Sequence, residues 1–338
     1  MITPKFLKKS GTIGIVAPSD GFPEGKFKDA TLVAENKLRA LGYEVKYAKS
    51  CFNSINGRSN DAKTRAKEFT EMYFNRNIDI LLTISGGEYE MEILKHLPLK
   101  AMQKHPKLFC GYSDNSLISF ILLTNLEVVN IYGHNLYELA HEHEVIDSYL
   151  EALQGNFLPQ EEIKEVSKED HDYNDDVINK NYTIDYKNNW KLLNAVSVDV
   201  RGIMIGGLID NLNCICGTKY DKVKRFLSKY KNEGFIWYLD ICLMSPEEVK
   251  RTLFQFKNAG WFKYARAIMI GRPIIQSDSF GITYQDNMFD ELKDLNIPII
   301  LDVNISHIPP SYHVVNGKKA RLTYVEGKGK IEYLEEEK

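Results

Sequence analysis

Long apolar runs are missing from this 338-residue sequence, and none approaches the roughly 18 residues that a membrane-spanning helix needs. A secretion signal is missing as well, because the basic N-terminal segment 1–9 leads into a short strand-like run and Pro18 instead of an apolar signal core. These absences exclude an integral membrane protein and predict no membrane partner. We therefore expect a soluble protein of the cytoplasm.

An excess of charge of one sign is also missing, since 43 lysine and arginine residues are balanced by 46 aspartates and glutamates. The net charge of −3 provides no general attraction for nucleic acid. The five cysteines are too few and too scattered for a disulfide framework. Cys214 and Cys216 are the one close pair, and their spacing fits neither a redox CxxC motif nor a zinc knuckle. We predict no cofactor and no metal.

What the sequence does contain is a regular alternation of short apolar runs and longer amphipathic segments. Over the first 135 residues this alternation predicts βαβα units, and hence a parallel sheet covered by helices. The composition becomes polar over 154–194, and apolar runs then resume. Because the chain exceeds the usual size of one core, we predict an N-terminal domain over 1–153, a polar linker over 154–194 and a C-terminal domain over 195–338.

Two predicted strands of the first half, 78–84 and 107–111, are apolar enough to be buried on both faces. Each is followed by a turn that contains glycine or serine, which is where open α/β sheets bind ligands. The second half is predicted to have strands at 202–209, 235–241, 267–271 and 298–303, helices at 246–258 and 284–295, and a closing hairpin around Gly327.

The second of these turns, Gly111-Tyr112-Ser113-Asp114, carries the most suggestive serine. A serine at a sharp strand-to-helix turn presents its hydroxyl above the sheet, beside the free N–H groups of the helix N-terminus. Ser113 is therefore a candidate nucleophile. The alternative is that Ser113 or Asp114 only caps the helix, because both are favoured N-cap residues.

The first turn, Ser85-Gly86-Gly87, should lie at the same edge of the sheet as Ser113. Glycine lets the backbone approach a ligand closely and point its N–H groups at it. The N–H of Gly86 or Gly87, together with that of Asp114, is the candidate oxyanion hole. The alternative is a tight turn without a chemical role.

A histidine and a carboxylate from the second half are needed to complete a nucleophilic site. His307 follows an apolar run and precedes a diproline, which suits a general base with a near-neutral pKa. Asp240 closes the predicted strand 235–241 and could orient that imidazole. Both could instead be structural, and Glu88 and Glu90 are weaker candidates for the acid. His134 follows another strand and could line the cleft.

These segments, in this order, resemble the LD-carboxypeptidase family of serine peptidases (peptidase family S66), which includes the microcin C self-immunity peptidases. The resemblance runs over nearly the whole chain. It rests on IGIVAPS at 13–19, SGG at 85–87, GYSD at 111–114, YGHN at 132–135, GGLIDN at 206–211 with GT at 217–218, IWYLD at 236–240 followed by Arg251, GR at 271–272 and SH at 306–307.

The resemblance implies a Rossmann-like (flavodoxin-like) N-terminal domain with a parallel sheet and a smaller, β-rich α/β C-terminal domain. It implies a Ser-His-Glu triad, which assigns Ser113 as nucleophile and His307 as base, and places Asp240 where the glutamate is expected. Aspartate is one methylene shorter, so it must sit closer to His307 or orient it poorly. The YGHN segment lacks the proline that is usual in the family. This departure falls in the loop that the resemblance places on the substrate side of the site.

The implied function is the hydrolysis of a C-terminal amide bond in a small peptide. The expected substrate is a muropeptide tetrapeptide that loses its terminal D-alanine during cell-wall recycling, and the expected assembly is a homodimer. One alternative is a self-immunity peptidase that cleaves a peptidyl-nucleotide antibiotic, for which an aromatic side chain should stack on the purine. The other is a non-catalytic peptide-binding relative.

Overall fold

The computed structural model of the chain describes residues 1–169, 181–278 and 280–335. Among these residues the chain folds as two units. The first unit contains 1–156, 181–183 and 313–315, and the second contains the remaining described residues. No helix of the described residues combines the length and the apolar character that crossing a membrane requires.

The described residues form sixteen strands and nine α-helices. The strands are β1 Thr12–Val16, β2 Glu44–Tyr47, β3 Ile80–Thr83, β4 Leu108–Gly111, β5 Asn130–Tyr132, β6 Gln160–Glu161, β7 Glu165–Val166, β8 Tyr186–Lys187, β9 Lys191–Leu192, β10 Val198–Leu208, β11 Phe235–Asp240, β12 Ala265–Gly271, β13 Ile299–Val303, β14 Val314–Asn316, β15 Lys319–Val325 and β16 Lys328–Tyr333. The helices are α1 Lys26–Ala40, α2 Ala62–Phe74, α3 Leu99–Lys104, α4 Ser116–Leu126, α5 Glu144–Leu153, α6 Ile209–Leu212, α7 Val223–Lys229, α8 Pro246–Asn258 and α9 Tyr284–Leu292.

The sheet of the first unit has the strand order β14-β5-β4-β3-β1-β2. Strands β1 to β5 pair in parallel, and their order 2-1-3-4-5 is that of flavodoxin-like folds. Every residue of β1, β3 and β4 is buried, as expected of central strands with helices on both faces. The carboxyl ends of these three strands meet at one edge of the sheet, where such folds bind their ligands.

The second unit contains an eight-stranded sheet in the order β6-β16-β15-β10-β11-β12-β13-β9. Its centre, from β10 to β13, is parallel, whereas β15, β16, β6 and β9 are antiparallel to their neighbours. The predicted closing hairpin is confirmed as β15 and β16. Glu326 and Gly327 both have positive φ, at 52° and 72°, which matches a two-residue turn of the type that favours glycine.

The predicted α/β class is confirmed in both units. The segment 154–194, predicted as a linker, contributes β6 and β9 to the second sheet. Trp190 within it is buried, and its indole Nε1–H donates to Asn304 Oδ1 at 2.7 Å. The most polar part of this predicted linker, 170–176, lies outside the described residues.

Candidate functional site

Ser113 occupies a strained turn between β4 and α4. Its φ of 58° lies in the left-handed region, which costs a residue with a Cβ about 1–2 kcal/mol. A short 3₁₀ segment, Ser113–Asn115, leads from this residue into α4. The Ser113 side chain is half-buried. A strained serine between a strand and a helix is the geometry that exposes a nucleophilic hydroxyl in α/β hydrolases.

The residues after Ser113 hold the turn through contacts with other loops rather than by capping α4. Helix α4 begins without a side-chain N-cap hydrogen bond. Asp114 is buried, and its Oδ2 accepts hydrogen bonds from Ser19 Oγ at 2.5 Å and from Glu90 N–H at 2.8 Å. Asn115 Nδ2 donates to the Ser85 carbonyl oxygen at 2.6 Å. The turn is therefore tied to the loops that follow β1 and β3.

The glycine turn after β3 lies directly against Ser113. A Cβ atom built on Gly86 would lie 2.9 Å from Ser113 Cβ and 3.0 Å from its Oγ, so a side chain at this position would collide with the serine. Gly87 has φ 143° and leaves no room for a Cβ beside Ser19 Oγ. The backbone of this turn can thus approach the hydroxyl closely. Ser85 contributes its carbonyl oxygen, which accepts from Asn115 as described.

Two buried ionisable residues, for which the sequence predicted no supporting role, lie behind this turn. Glu90 is fully buried, and its Oε2 accepts the Ile118 N–H of α4 at 3.0 Å. Burial, followed by the nearby Asp114 carboxylate, raises the pKa of Glu90 well above its usual range. Arg65 is also buried and donates to the carbonyl oxygens of Pro18 at 2.8 Å and Tyr89 at 3.1 Å.

His134 lies in the interior of the first unit. Its side chain is 4% exposed, and its Nδ1 is 3.3 Å from Glu138 Oε1. Its ring packs against the edge of Tyr149, which also contacts His313. Burial, with a smaller contribution from His134, lowers the pKa of His313 to about 3. These contacts make His134 part of a buried aromatic cluster.

In the second unit, His307 and Asp240 form a close pair. Asp240 is the last residue of β11 and is fully buried, and its Oδ2 lies 2.9 Å from His307 Nδ1. Burial lowers the pKa of His307, but the Asp240 carboxylate and, to a smaller extent, Cys242 oppose it and together raise the pKa well above 6.5. The shorter aspartate side chain therefore reaches the imidazole.

Asp210 holds the loop that follows Asp240. Its carboxylate accepts backbone N–H bonds from Cys242 at 3.1 Å, Leu243 at 2.7 Å and Met244 at 3.1 Å. Cys242 also contacts His307, and burial raises the pKa of its thiol. Burial likewise raises the pKa of Asp210, although the N–H bonds from Cys242 and Leu243 oppose this. Asp210 belongs to the GGLIDN motif, but its spacing in the sequence does not reveal this role.

The structure thus brings the predicted residues together in two groups. In the first unit, Ser113 lies with Ser85, Gly86, Gly87 and Asp114 at the carboxyl edge of the parallel sheet. In the second unit, Asp240 and His307 lie together at the end of β11. Among the described residues, no group of three or more His, Cys, Asp or Glu side chains is arranged to hold a metal ion.

Comparisons with known proteins match both halves of the chain. The LD-carboxypeptidase N-terminal domain matches residues 13–133, and the LD-carboxypeptidase C-terminal domain matches residues 201–322. YocD of Bacillus subtilis, provisionally named a carboxypeptidase, is 24% identical over 329 residues, which cover 96% of this chain and 97% of YocD. A second Bacillus subtilis protein, provisionally named a murein peptide carboxypeptidase, is 29% identical over 130 residues. The match covers 38% of this chain and 40% of that protein.

Among solved structures, the chain is similar to the self-immunity protein MccF in complex with glutamyl sulfamoyl guanosine. The TM-score is 0.81 at 21% sequence identity, and the match covers 98% of both chains. This similarity shows that the two proteins share a fold.

Proposed function

The chain belongs to the LD-carboxypeptidase family, a family of peptidases, and from this membership we propose that it is a serine carboxypeptidase. In this proposal Ser113 is the nucleophile, His307 the general base and Asp240 the acid of a triad. The substrate is a small peptide that is cut at its C-terminal amide bond.

The observation that carries this proposal is the conformation of Ser113. A left-handed φ of 58° is unfavourable for serine, and α4 begins without a side-chain N-cap hydrogen bond that could account for it. Gly86 is in contact with the same side chain, at a position where any larger residue would collide with it. Strain that is kept beside a glycine turn at the carboxyl edge of an α/β sheet is expected of a nucleophile with an oxyanion hole next to it.

The proposed reaction proceeds through an acyl-enzyme. Ser113 Oγ attacks the carbonyl carbon of the last amide bond while His307 accepts the hydroxyl proton. The N–H groups of Asp114 and of Gly86 or Gly87 stabilise the negative oxygen of the tetrahedral intermediate. His307 then gives its proton to the departing amine, which leaves an ester between Ser113 and the peptide. Water attacks this ester while His307 accepts its proton, and His307 then returns a proton to Ser113 Oγ as the shortened peptide leaves.

Asp240 supports this reaction in two ways. Its contact at 2.9 Å with His307 Nδ1 fixes the ring so that Nε2 is the nitrogen left to accept the proton. Its negative charge favours the imidazolium that forms during attack, as the raised pKa of His307 indicates. This contact argues against a non-catalytic relative that has lost its acid.

The substrate that we favour is a muropeptide tetrapeptide with a terminal D-alanine, in agreement with the family name and with the name of the murein peptide carboxypeptidase relative. The competing hypothesis is a peptidyl-nucleotide, because MccF binds glutamyl sulfamoyl guanosine. That hypothesis calls for an aromatic ring that is free to stack on a purine. The three tryptophans, Trp190, Trp237 and Trp261, are all buried and do not present such a ring.

The test is mass spectrometry of the purified protein after incubation with a muropeptide tetrapeptide or with a peptidyl-adenylate analogue. We expect the wild type, but not Ser113→Ala, to release D-alanine from the tetrapeptide. Cleavage of the analogue alone would move the protein to the immunity class. No turnover of either substrate by the wild type would refute the peptidase proposal for both classes.

A further inference from the structure

Arg272 is a buried cation close to the proposed acid and base that the reaction described above does not use. It directly follows β12, whose neighbour β11 ends at Asp240. Leu239 pairs with Ile270 across these strands, so Asp240 and Gly271 occupy neighbouring positions at the strand ends. Gly271 also packs tightly against Ile305 and Ser306, the two residues before His307. Arg272 therefore belongs to the same edge of the second sheet as the pair.

The guanidinium group of Arg272 is incompletely bonded. The residue is 4% exposed, and its Nη2 donates to the Ser167 carbonyl oxygen at 2.5 Å. Its Nη1 is buried and has no hydrogen-bond partner within the described residues. The ring of Tyr186 lies 5.4 Å from the guanidinium carbon. One of the two terminal nitrogens is thus left with a buried, unused donor.

The carboxylates whose charge reaches Arg272 form no ion pair with it within the described residues, and each accepts hydrogen bonds from other groups. Asp302 Oδ1 accepts the hydroxyl of Tyr284 at 2.6 Å. Its Oδ2 accepts from Gln285 at 3.1 Å and lies 2.9 Å from Lys191 Nζ. Asp185, the other acid whose charge reaches Arg272, accepts the Lys168 N–H at 2.7 Å. Arg272 therefore has acidic neighbours but no ion pair of its own among the described residues.

An arginine keeps its charge in a protein, and a buried charge without a partner is costly. Arg272 lies at a strand edge of the kind where α/β sheets bind ligands. A bound anion there would accept a hydrogen bond from the unused donor and offset the cost of burying the charge. The planar guanidinium matches a carboxylate in particular, since the two can form parallel hydrogen bonds. We propose that Arg272 binds the C-terminal carboxylate of the peptide substrate.

This inference rests on the proposed function, because a carboxypeptidase must distinguish a chain end from an internal residue. The free carboxylate is the chemical difference between the two. A binding arginine one strand away from Asp240 supplies this selectivity, whereas the triad itself acts on any amide carbonyl.

The chain offers a matched control in Arg266, which lies on β12, the strand that Arg272 directly follows. Its Nη1 donates to the Arg201 carbonyl oxygen at 2.7 Å, and its Nη2 donates to that of Asn232 at 3.0 Å. Both of its terminal nitrogens are therefore used within the fold. It lies near the start of β12, at the opposite end from Arg272.

The experiment is calorimetric titration of Ser113→Ala protein with a tetrapeptide and with the same tetrapeptide amidated at its C-terminus. We expect the added Arg272→Met change to weaken binding of the free acid by about 10- to 100-fold, the effect of losing a charge-assisted hydrogen-bonded pair. Binding of the amide should change less than about 3-fold. Arg266→Met should leave both affinities unchanged.

Thermal unfolding separates ligand binding from a structural role. Removing an unpaired buried charge should leave the unfolding temperature of Arg272→Met unchanged or raise it, whereas loss of a structural arginine would lower it. Should Arg272→Met fail to fold, Arg272→Lys keeps the charge and should lose about 3- to 10-fold for the acid alone. Equal losses for acid and amide, or no loss, would overturn the inference. If Ser113→Ala protein binds neither peptide, the proposed function itself fails.

Discussion

The Ser113 turn of the first unit and the His307 pair of the second unit are built by different physical means. Around Ser113 the backbone is decisive, since a left-handed φ of 58° is maintained beside a glycine in contact with the side chain. Around His307 charge is decisive, since a fully buried carboxylate 2.9 Å away opposes the effect of burial on the pKa of the ring. One half depends on the space available, and the other on the charge present.

This difference separates the substitutions that should damage each half. Adding atoms near Ser113 should displace the nucleophile, even when no charge changes. Neutralising a carboxylate near His307 should impair the base, even when the side chain keeps the same number of heavy atoms. The following predictions test this comparison, beginning with the largest expected effect.

The largest effect is expected for Asp240→Asn, which keeps the shape of the side chain and removes its charge. We expect kcat to fall by about 10⁴-fold, because the amide no longer stabilises the imidazolium and favours the wrong tautomer. Steady-state kinetics on the tetrapeptide measures this. Asp240→Glu keeps the charge but adds a methylene to a fully buried site, so it should be about 10-fold less active than the wild type. An Asp240→Glu protein more active than the wild type would mean that the native pair is impaired.

The same pair predicts the direction of the pH dependence. His307 must be neutral to accept a proton, so kcat/KM should rise with pH through an apparent pKa above 6.5. Asp240→Asn removes the larger of the two contributions that oppose the effect of burial on the pKa of His307, and only that of Cys242 remains. The acidic limb of the residual activity should therefore move to lower pH. A limb at the same pH in both proteins would assign it to another group.

On the other side of the comparison, Gly86→Ala should cost about 10²- to 10³-fold in kcat, because the new methyl group collides with Ser113 beside the proposed oxyanion hole. Gly14→Ala is the control, since a Cβ built there would lie 2.8 Å from Leu81 Cδ2 in the core of the same sheet. Both changes should destabilise the fold by about 1–3 kcal/mol. A similar loss of kcat in both folded proteins would attribute it to general packing.

The sequence was sufficient to predict the features that depend on the local periodicity of apolar residues. Alternating apolar and amphipathic segments predicted the parallel strands, and strand ends in a parallel sheet share an edge, so Ser85 and Ser113 could be placed together from their positions alone. The 3₁₀ geometry of the segment Glu90–His96 was not predicted, because this tighter helix has no distinct periodicity in the sequence.

The features that the sequence did not reveal depend on partners distant in the chain. Asp210 acquires its role from amides more than thirty residues away, and Glu90 from the N–H of Ile118. Trp190 is buried although it lies in a polar stretch, because the surrounding segment joins the second sheet. The local composition indicates whether a segment favours burial, but it does not identify the distant residues that contact it in the fold.

A smaller effect is expected for Asp210→Asn in the second unit. The amide keeps one oxygen for the N–H groups of the 242–244 loop but places an NH₂ group against the rest. We expect kcat to fall by about 10-fold through misplacement of the loop after Asp240. Asp221→Asn is the control, because Asp221 also accepts backbone N–H bonds, from Gly217 and Val223, outside the proposed site. Equal kcat losses in the two variants would exclude a positioning role for Asp210.

The smallest effect on kcat is expected for Glu90→Gln. This variant tests whether the Ser113 turn of the first unit depends on charge. Burial raises the pKa of Glu90 well above its usual 4.5, so the folded protein holds the proton at pH values where the unfolded chain has lost it. Wild-type stability should therefore decline as pH rises above 4.5 towards the raised pKa. Because glutamine cannot ionise, Glu90→Gln should lack this decline, with kcat changed less than about 3-fold.

Glu92 provides the opposite sign as a control for Glu90. Its hydrogen bonds with Arg58 lower its pKa below 4.5, so its contribution to stability is present above that pH and is lost as the pH falls through the lowered pKa. Relative to wild type, Glu92→Gln should lose stability as pH rises, whereas Glu90→Gln should gain it. Unfolding temperatures measured from pH 2 to pH 9 compare the two slopes, that of Glu92 below pH 4.5 and that of Glu90 above it. Parallel curves for Glu90→Gln and wild type, or a kcat loss above about 10-fold, would mean that charge also governs the Ser113 turn.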